Sequence, residues 1–230
     1  MLVLAFDTAT PAVTVALRDE SAVLAERTVV DARRHGELLA PGIAAALSAA
    51  GRETAELTAI AVGVGPGPFT GLRVGLVTAR ALGDALQIPV YGVCSLDILA
   101  YASKLNGAYA VATDARRREV YWARYDGLAR AGGPHVDRPG LAATQTAGLP
   151  VVGAGALLYP DDFPSAREPR YPLASALADW VAVGLPTLPP RPLYLRRPDA
   201  VEPAARKLVT AASRGDHPPT RPGGAGGPTG

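Results

Sequence analysis

The chain has 230 residues, of which 48% are hydrophobic, so it can bury a substantial core as one large domain or two small ones. Its 23 Lys and Arg nearly balance its 21 Asp and Glu, and the formal net charge of +2 does not by itself indicate a nucleic-acid-binding surface. A single cysteine, Cys94, excludes an internal disulfide framework and fits a reducing compartment. The first residues lack the basic region of a signal peptide, and no stretch has the ~20 apolar residues of a membrane span, so we expect a cytoplasmic protein without a membrane anchor.

The first hundred residues predict a mixed sheet covered by helices. The apolar run Leu2–Phe6 predicts a buried strand that ends in a turn, and the alternating segment after it predicts a hairpin partner. In chain order, the predicted elements are strands at 2–6, 13–17 and 22–30, a helix at 35–50, a strand at 57–64, a helix from about 71 to 86, a strand at 90–93, and a helix from Ser95, its expected N-cap, to about 103. This βββαβαβα order indicates a hairpin-built sheet that crossovers extend with parallel strands.

The second half of the chain repeats the opening pattern. A strand at Ala108–Thr113 ends at Asp114, and Glu119–Tyr125 follows as its hairpin partner, as the first strand, Asp7 and the second strand do. The repeat predicts two related lobes, 1–105 and 106–198. The second lobe is reduced, with a short strand within 148–155 and a helix at 174–183. Residues 199–230 form a Gly- and Pro-rich tail that we expect to be mostly disordered.

The stretch GVGPGPFTGLRVG, residues 63–75, raises the question of a phosphate-binding loop. It does not match G-x-x-x-x-G-K-[ST], and in the dinucleotide pattern Thr70 stands where the third glycine belongs. Pro66 and Pro68 also lack the N–H groups that a phosphate nest uses. We therefore interpret the stretch as a rigid turn between strand and helix, with Thr70 as the helix N-cap.

The helices at 35–50 and 71–86 carry more apolar surface than one buried face requires. The second helix confines its charges to a narrow face, and Gly71, Gly75, Ala79 and Gly83 form a small-residue ladder that would let another backbone come close. From Leu38 to Gly51 the first helix has no charged residue. Burial within the chain's own lobe would explain both helices, but we favour a second buried face that a partner covers.

The catalytic inventory of the chain is small. No two of its three histidines have metal-ligand spacing, and Cys94 has no spaced histidine to activate it. Asp7 and Asp114 occupy matched strand ends, which would suit nucleotide phosphates and a metal ion, yet each could equally cap a turn. An autonomous kinase or phosphatase that uses these two aspartates therefore stays open, as does a peptidase, although the sequence offers neither a nucleophile–base pair nor a metal site.

Five motifs in order, FDTAT, RRHGELLAP, GVGPGPFTGLRVG, TDARRREVYWARY and PLYLRRP, resemble the TsaB (YeaZ) family. These are bacterial accessory subunits for the synthesis of threonylcarbamoyladenosine in tRNA. The similar stretches are spread from Met1 to about Pro198. The resemblance implies an α/β, two-lobe fold of the actin, hexokinase and Hsp70 type, built on ribonuclease-H-like cores, and this agrees with the predicted order of elements.

The resemblance also implies a function. A TsaB protein pairs with its paralogue TsaD, joined by the ATPase TsaE, to allow threonylcarbamoyl transfer to the adenosine beside the anticodon of tRNA. The paralogue carries a His-x-x-x-His metal motif that this chain lacks, so the chain is expected to be the non-catalytic member. It would have no cofactor of its own, with ATP or ADP and the metal at the level of the complex, and it could form a homodimer when alone.

Residue by residue, the resemblance identifies two sets of positions. The degenerate nucleotide-motif positions are Asp7, Thr8, Asp114 and Arg116. Pairing in the family uses the first two helices of the first lobe, and the candidate interface residues on them are His35, Leu38, Leu39, Ala46, Gly71, Gly75, Val77 and Ala79.

Overall fold

Residues 1–196, which the computed structural model of this protein describes, contain two five-stranded sheets that follow one another along the chain. The first sheet has the order β3-β2-β1-β4-β5, in which β1 and β2 pair antiparallel and β1, β4 and β5 run parallel. Its strands and helices are β1 (Val3–Asp7), β2 (Ala12–Arg18), β3 (Val23–Val30), α1 (His35–Ala49), β4 (Ala59–Gly63), α2 (Phe69–Leu86), β5 (Val90–Val93) and α3 (Ser95–Ser103). The predicted βββαβαβα order is confirmed.

The second sheet repeats this arrangement in smaller form. Read from its other edge, its order β10-β9-β6-β7-β8 is the same as that of the first sheet, with β6 in the place of β1. Its elements are β6 (Ala108–Asp114), β7 (Val120–Asp126), β8 (Ala129–Asp137), α4 (Pro139–Gln145), β9 (Val151–Val152), α5 (Ala154–Leu158), β10 (Ala166–Arg167) and, after the sheet, α6 (Ala174–Ala182). The predicted duplication and the reduced second lobe are both present, because β9 and β10 have two residues each.

The apolar run of β1 reflects its position at the centre of the first sheet. All five of its residues are buried. Leu4 and Phe6 face the layer formed by α1 and α2, and Val3 and Ala5 face the layer that α6 covers. A strand covered on both faces needs apolar residues at successive positions, which explains the lack of alternation.

The last helix of the described residues, α6, does not pack on the second sheet, although the sequence pattern assigns it to the second lobe. Leu177 and Trp180 of α6 pack on the first sheet beside Val3 and Ala5. Arg18 of β2 also donates a hydrogen bond of 2.5 Å to Asp179 of α6. The strands of the first sheet all precede residue 106 and those of the second sheet all follow it, but the first core takes one of its helices, α6, from beyond this point.

Two predicted helix caps are wrong. The helix α2 begins at Phe69 after Pro68, so Thr70 lies inside its first turn, and no side chain caps it. Ser95 is the first residue of α3 rather than its cap, and its hydroxyl bonds elsewhere. The patterning also did not predict β8, α4, α5 or β10, which are short or, in β8, interrupted by Gly132, Gly133 and Pro134.

The predicted disordered tail, 199–230, lies outside the described residues. Within the part that the structure describes, no helix is long and apolar enough to cross a membrane.

Candidate functional site

Asp7, the first of the two matched aspartates, lies at the end of β1 in a closed environment. Its side chain is 1% exposed. One carboxylate oxygen accepts a hydrogen bond from the backbone N–H of Ala9 at 2.8 Å, and the other accepts one from the Ser95 hydroxyl at 2.5 Å. Gly63 of β4 presses against the same carboxylate, since a Cβ at that position would lie 1.8 Å from Asp7 Oδ2. The carboxylate thus ties three chain segments together and is not open to a ligand.

This enclosure changes the acidity of Asp7. Burial raises its pKa from 3.8 to about 6, while the hydrogen bonds from Ser95 and Ala9 and the nearby His35 act in the opposite direction. The folded protein therefore holds a proton on Asp7 more tightly than the unfolded chain does. The resulting stabilisation is complete below about pH 4 and is lost as the pH rises through 6.

Asp7→Asn is expected to make the protein more stable relative to the wild type as the pH rises. The amide mimics the protonated carboxyl, so the difference in unfolding free energy between variant and wild type should increase by roughly 2–3 kcal/mol from pH 4 to pH 7. Urea unfolding of both proteins at several pH values measures it.

Asp19→Asn is the control for this pH dependence. Hydrogen bonds from Ser21 and Ala22 lower the pKa of Asp19 to about 2, so its effect should stay constant between pH 4 and pH 7. A constant difference for Asp7→Asn over the same interval would contradict the effect of burial on Asp7.

Thr8 packs against the first two glycines of the small-residue ladder of α2. Its hydroxyl donates a hydrogen bond of 2.8 Å to the carbonyl oxygen of Gly71 and accepts one of 3.1 Å from the N–H of Gly75. A Cβ at Gly71 would lie 2.5 Å from the Thr8 carbonyl oxygen, and one at Gly75 would lie 2.5 Å from its hydroxyl. The ladder does admit another backbone, but this backbone is the chain's own β1–β2 turn.

The Gly-Pro loop between β4 and α2 uses its polar backbone groups internally. The N–H of Val64 donates to the carbonyl of Val93 at 2.9 Å, and the N–H of Gly65 donates to the Ser95 hydroxyl at 3.2 Å. At Gly67 a Cβ would lie 2.3 Å from the carbonyl oxygen of Ala9. The loop is therefore a rigid turn packed against the β1–β2 turn, which agrees with our interpretation and disfavours a phosphate cradle.

Asp114 occupies the matching position in the second sheet. Its Oδ1 accepts a hydrogen bond of 2.8 Å from the N–H of Arg116, two residues on, as Asp7 does from Ala9. Arg116 Nε also lies 3.8 Å from Asp114 Oδ2. Both aspartates thus stabilise turns, and in the β6–β7 turn the Arg116 guanidinium group lies beside the Asp114 carboxylate.

These contacts fit a nucleotide and its metal poorly. A metal needs an accessible carboxylate, whereas Asp7 is enclosed and Asp114 is beside Arg116. In residues 1–196, no group of three or more His, Cys, Asp or Glu side chains could hold a metal ion. Burial also raises the pKa of Cys94 to about 12, so this thiol is no nucleophile. In the described residues, Asp7 and the Cys94 thiol are therefore both enclosed by the chain itself.

Six of the eight candidate interface residues are buried by the chain itself. They are His35, Leu39, Ala46, Gly71, Gly75 and Ala79. His35 Nε2 donates a hydrogen bond of 2.7 Å to the carbonyl of Thr10, and Ala46 is 0% exposed in the first core. These six residues therefore contact the chain's own core and are not exposed to a partner in this structure. Leu38 is half-buried, and only Val77, at 64% exposure, projects from the surface.

The outer face of the same two helices consists of other residues. On α1 the exposed positions after Glu37 are Ala40, Pro41, Ala44, Ser48 and Ala49, none of which is charged. On α2 the exposed positions are Phe69, Thr70, Arg73, Val77, Arg80, Ala81, Asp84 and Ala85. The helices lie side by side on the first sheet, and a Cβ at Gly36 would be 4.0 Å from Val74 Cγ2. Sequence patterning could not separate this outer face from the inner one, because small residues occupy both.

The chain matches a family model described as TsaD: tRNA N6-adenosine threonylcarbamoyltransferase over residues 23–200. An uncharacterized protein of Mycobacterium tuberculosis is 50% identical over 202 residues, which cover 86% of this chain and 93% of that protein. The tRNA threonylcarbamoyladenosine biosynthesis protein TsaB of Escherichia coli is 39% identical over 128 residues, which cover 54% of this chain and 55% of that protein.

A solved structure extends the similarity across both sheets. The structure of YeaZ from Pseudomonas aeruginosa superposes with a TM-score of 0.71 at 32% sequence identity, and the match covers 84% of this chain and 99% of that one. The motifs, the duplicated sheet order and these matches agree: the chain belongs to the TsaB (YeaZ) family.

Proposed function

We propose that this chain is the non-catalytic subunit that pairs with a TsaD-like paralogue in the cytoplasm. Together with a TsaE-like ATPase, the pair would allow threonylcarbamoyl transfer to the adenosine beside the anticodon of tRNA. The chain would contribute the surface on which the complex assembles, while its partners would bind ATP or ADP and the metal.

The uncharged outer face of α1 is the observation that carries this proposal. A surface helix of a soluble monomer usually places charged residues on its solvent side. The solvent side of α1 beyond Glu37 has only small or apolar side chains, whereas α2 exposes Val77 together with Arg73, Arg80 and Asp84. The smooth face of α1 allows helices of a partner to approach closely and to bury apolar area.

The choice of partner follows from the shared family model. A model described as TsaD matches this chain, which implies that the two proteins have related folds. Related folds can join the same surface of each subunit about a pseudo-twofold axis, as identical subunits do in an isologous dimer. The same reasoning allows a homodimer of this chain when its partner is absent.

The environment of the two aspartates supports a non-catalytic role. An actin-like kinase or phosphatase would need Asp7 to reach a metal and phosphates, but hydrogen bonds from Ala9 and Ser95 occupy both of its oxygens. The peptidase alternative has no accessible cysteine nucleophile in the described residues, since Cys94 is buried.

Co-purification and reconstitution test the proposal. We expect a tagged copy of the chain to co-elute with the TsaD-like protein of the same organism, and threonylcarbamoyladenosine to form in tRNA only when both proteins and the TsaE-like ATPase are present. A mixture that lacks this chain is the control.

The same preparation of the chain alone tests the competing enzyme. We expect no phosphate release from Mg–ATP. Release that Asp7→Asn abolishes would contradict the accessory role and support an autonomous kinase or phosphatase.

A further inference from the structure

The turn between β6 and β7 carries three consecutive exposed arginines in an unusual backbone conformation. Arg116, Arg117 and Arg118 have φ angles of 61°, 56° and 58°, all in the left-handed region. Side chains other than glycine enter this region at an energetic cost and usually as single residues. Glycine would suit the backbone better, so the stability of the turn does not account for the arginine side chains.

The backbone beneath these side chains is held in place. The N–H of Ala115 donates to the carbonyl of Glu119 at 2.9 Å, and the N–H of Glu119 donates to the carbonyl of Arg116 at 3.0 Å. Arg196, from the end of the described chain, donates from Nη1 to the carbonyl of Ala115 at 2.9 Å and pairs with Glu119. The three arginines therefore project from a preorganised turn.

A cleft beside this turn is bordered on its other side by the start of α1, which carries a second pair of arginines. Arg33 and Arg116 line one cavity of about 230 Å³, together with Thr10 and Thr70. Arg34, next to Arg33, is exposed and its Nε lies 2.8 Å from Asp31. The start of α1 and the β6–β7 turn thus border the cleft from two sides.

The charge balance around this cleft is strongly positive. In the segments 31–34 and 114–118, which the structure describes in full, five arginines face two carboxylates, Asp31 and Asp114. Glu37, in the first turn of α1, also acts on Arg34, so a surplus of two positive charges remains, as large as the formal net charge of +2 of the whole chain. Glu119 is already paired with Arg196. A near-neutral chain therefore carries a concentrated cationic surface.

We propose that this arginine cleft, Arg33–Arg34 and Arg116–Arg118, binds the phosphodiester backbone of the RNA that the complex modifies. This inference rests on the proposed function. Guanidinium groups bind phosphate through a planar fork of donors, and a local cationic surface is the footprint of RNA binding. Arg33 and Arg116 line the cavity from two separate segments, each continued by further arginines, and Asp7 is enclosed, so an extended polyanion fits better than one nucleotide with its metal.

The triple variant Arg116→Gly, Arg117→Gly, Arg118→Gly tests the cleft in the complex with the TsaD-like partner. The probe is a transcribed tRNA, and its binding is measured by fluorescence anisotropy at several KCl concentrations. We expect the affinity to fall at least about tenfold, and the slope of log K against log salt to fall by about 2, since each phosphate contact contributes about 0.7–0.9 to it. The melting temperature of the free chain should stay equal or rise, because glycine suits the left-handed backbone.

Two matched variants separate the cleft from a general charge effect. Replacing the same three arginines with lysine keeps the charge and should keep most of the salt slope. A second triple variant removes three exposed arginines outside the cleft: Arg27→Ala, Arg52→Ala and Arg167→Ala. It should change the slope of log K against log salt much less.

Three results would overturn the proposal. One is unchanged tRNA affinity and slope in the triple-glycine variant, and another is an equal loss in the variant outside the cleft. The third is a loss of ATP binding without a loss of tRNA binding, which would indicate a nucleotide site. If the wild-type chain does not pair with the TsaD-like protein, the proposed function is contradicted. The same tRNA titrations on the free chain then test whether the arginine cleft binds RNA, and the same results support or overturn it.

Discussion

Ala44→Arg is expected to leave the chain folded and to abolish its pairing with the TsaD-like partner. Ala44 is exposed in the middle of the uncharged outer face of α1. In the free chain, water solvates the new guanidinium group. In the complex, the same group would be buried without a partner in a closely packed helix interface, which costs several kcal/mol and corresponds to a loss of affinity of a hundredfold or more, by an order-of-magnitude estimate.

Ala46→Arg is the matched control, with the same substitution two residues along the same helix. Ala46 is 0% exposed within the first core, so the variant is expected to unfold. Circular dichroism of each variant alone, read beside size-exclusion chromatography with the partner, separates loss of fold from loss of pairing. A folded Ala44→Arg chain that still elutes with the TsaD-like protein would remove the outer face of α1 from the interface.

Gly71→Ala is expected to destabilise the chain by about 3 kcal/mol or more, the upper part of the range for overpacked cores. The added Cβ would stand 2.5 Å from the carbonyl oxygen of Thr8, and this oxygen belongs to the backbone of a turn held by Asp7. Either α2 moves away and breaks the hydrogen bonds of the Thr8 hydroxyl to Gly71 and Gly75, or the β1–β2 turn distorts.

Gly36→Ala provides the comparison for this substitution. At Gly36, in the first turn of α1, the nearest atom to a new Cβ is Val74 Cγ2 at 4.0 Å, an ordinary contact. This variant should be neutral or more stable by up to about 1 kcal/mol, since alanine favours the helix over glycine. Urea unfolding of both variants measures the difference, and equal stabilities would show that the Thr8 contact tolerates a methyl group.

The alternatives that the sequence left open for Asp7 and Asp114 illustrate what a pattern of residues can predict. Their equivalent positions at two strand ends follow from the repeat, and the structure confirms the duplication. Whether a carboxylate at such a position binds a ligand or caps a turn depends on what lies against it. Gly63, Ser95 and Arg116 decide this, and two of them are far from their aspartate in sequence.

The candidate interface residues also show what a sequence pattern cannot predict. The excess of small and apolar residues on α1 and α2 was visible in the sequence, but its assignment to inside and outside was not. Six of the eight candidates lie inside: Gly75 receives the β1–β2 turn, for example, and Ala46 lies in the first core. Ala44, Ala81 and Ala85, which patterning did not select, lie outside.

By itself, the sequence determined the order of the main strands and helices, the two-lobe repeat and the family. Those features depend on local alternation, on turn residues and on motifs that are contiguous along the chain. The tertiary structure alone decided that α6 covers the first sheet, that the backbone in the glycine ladder is that of Thr8, and that Arg33 and Arg116 share one cleft. Each of these joins residues more than sixty positions apart, and the burial and charge that they create exist only once the chain has folded.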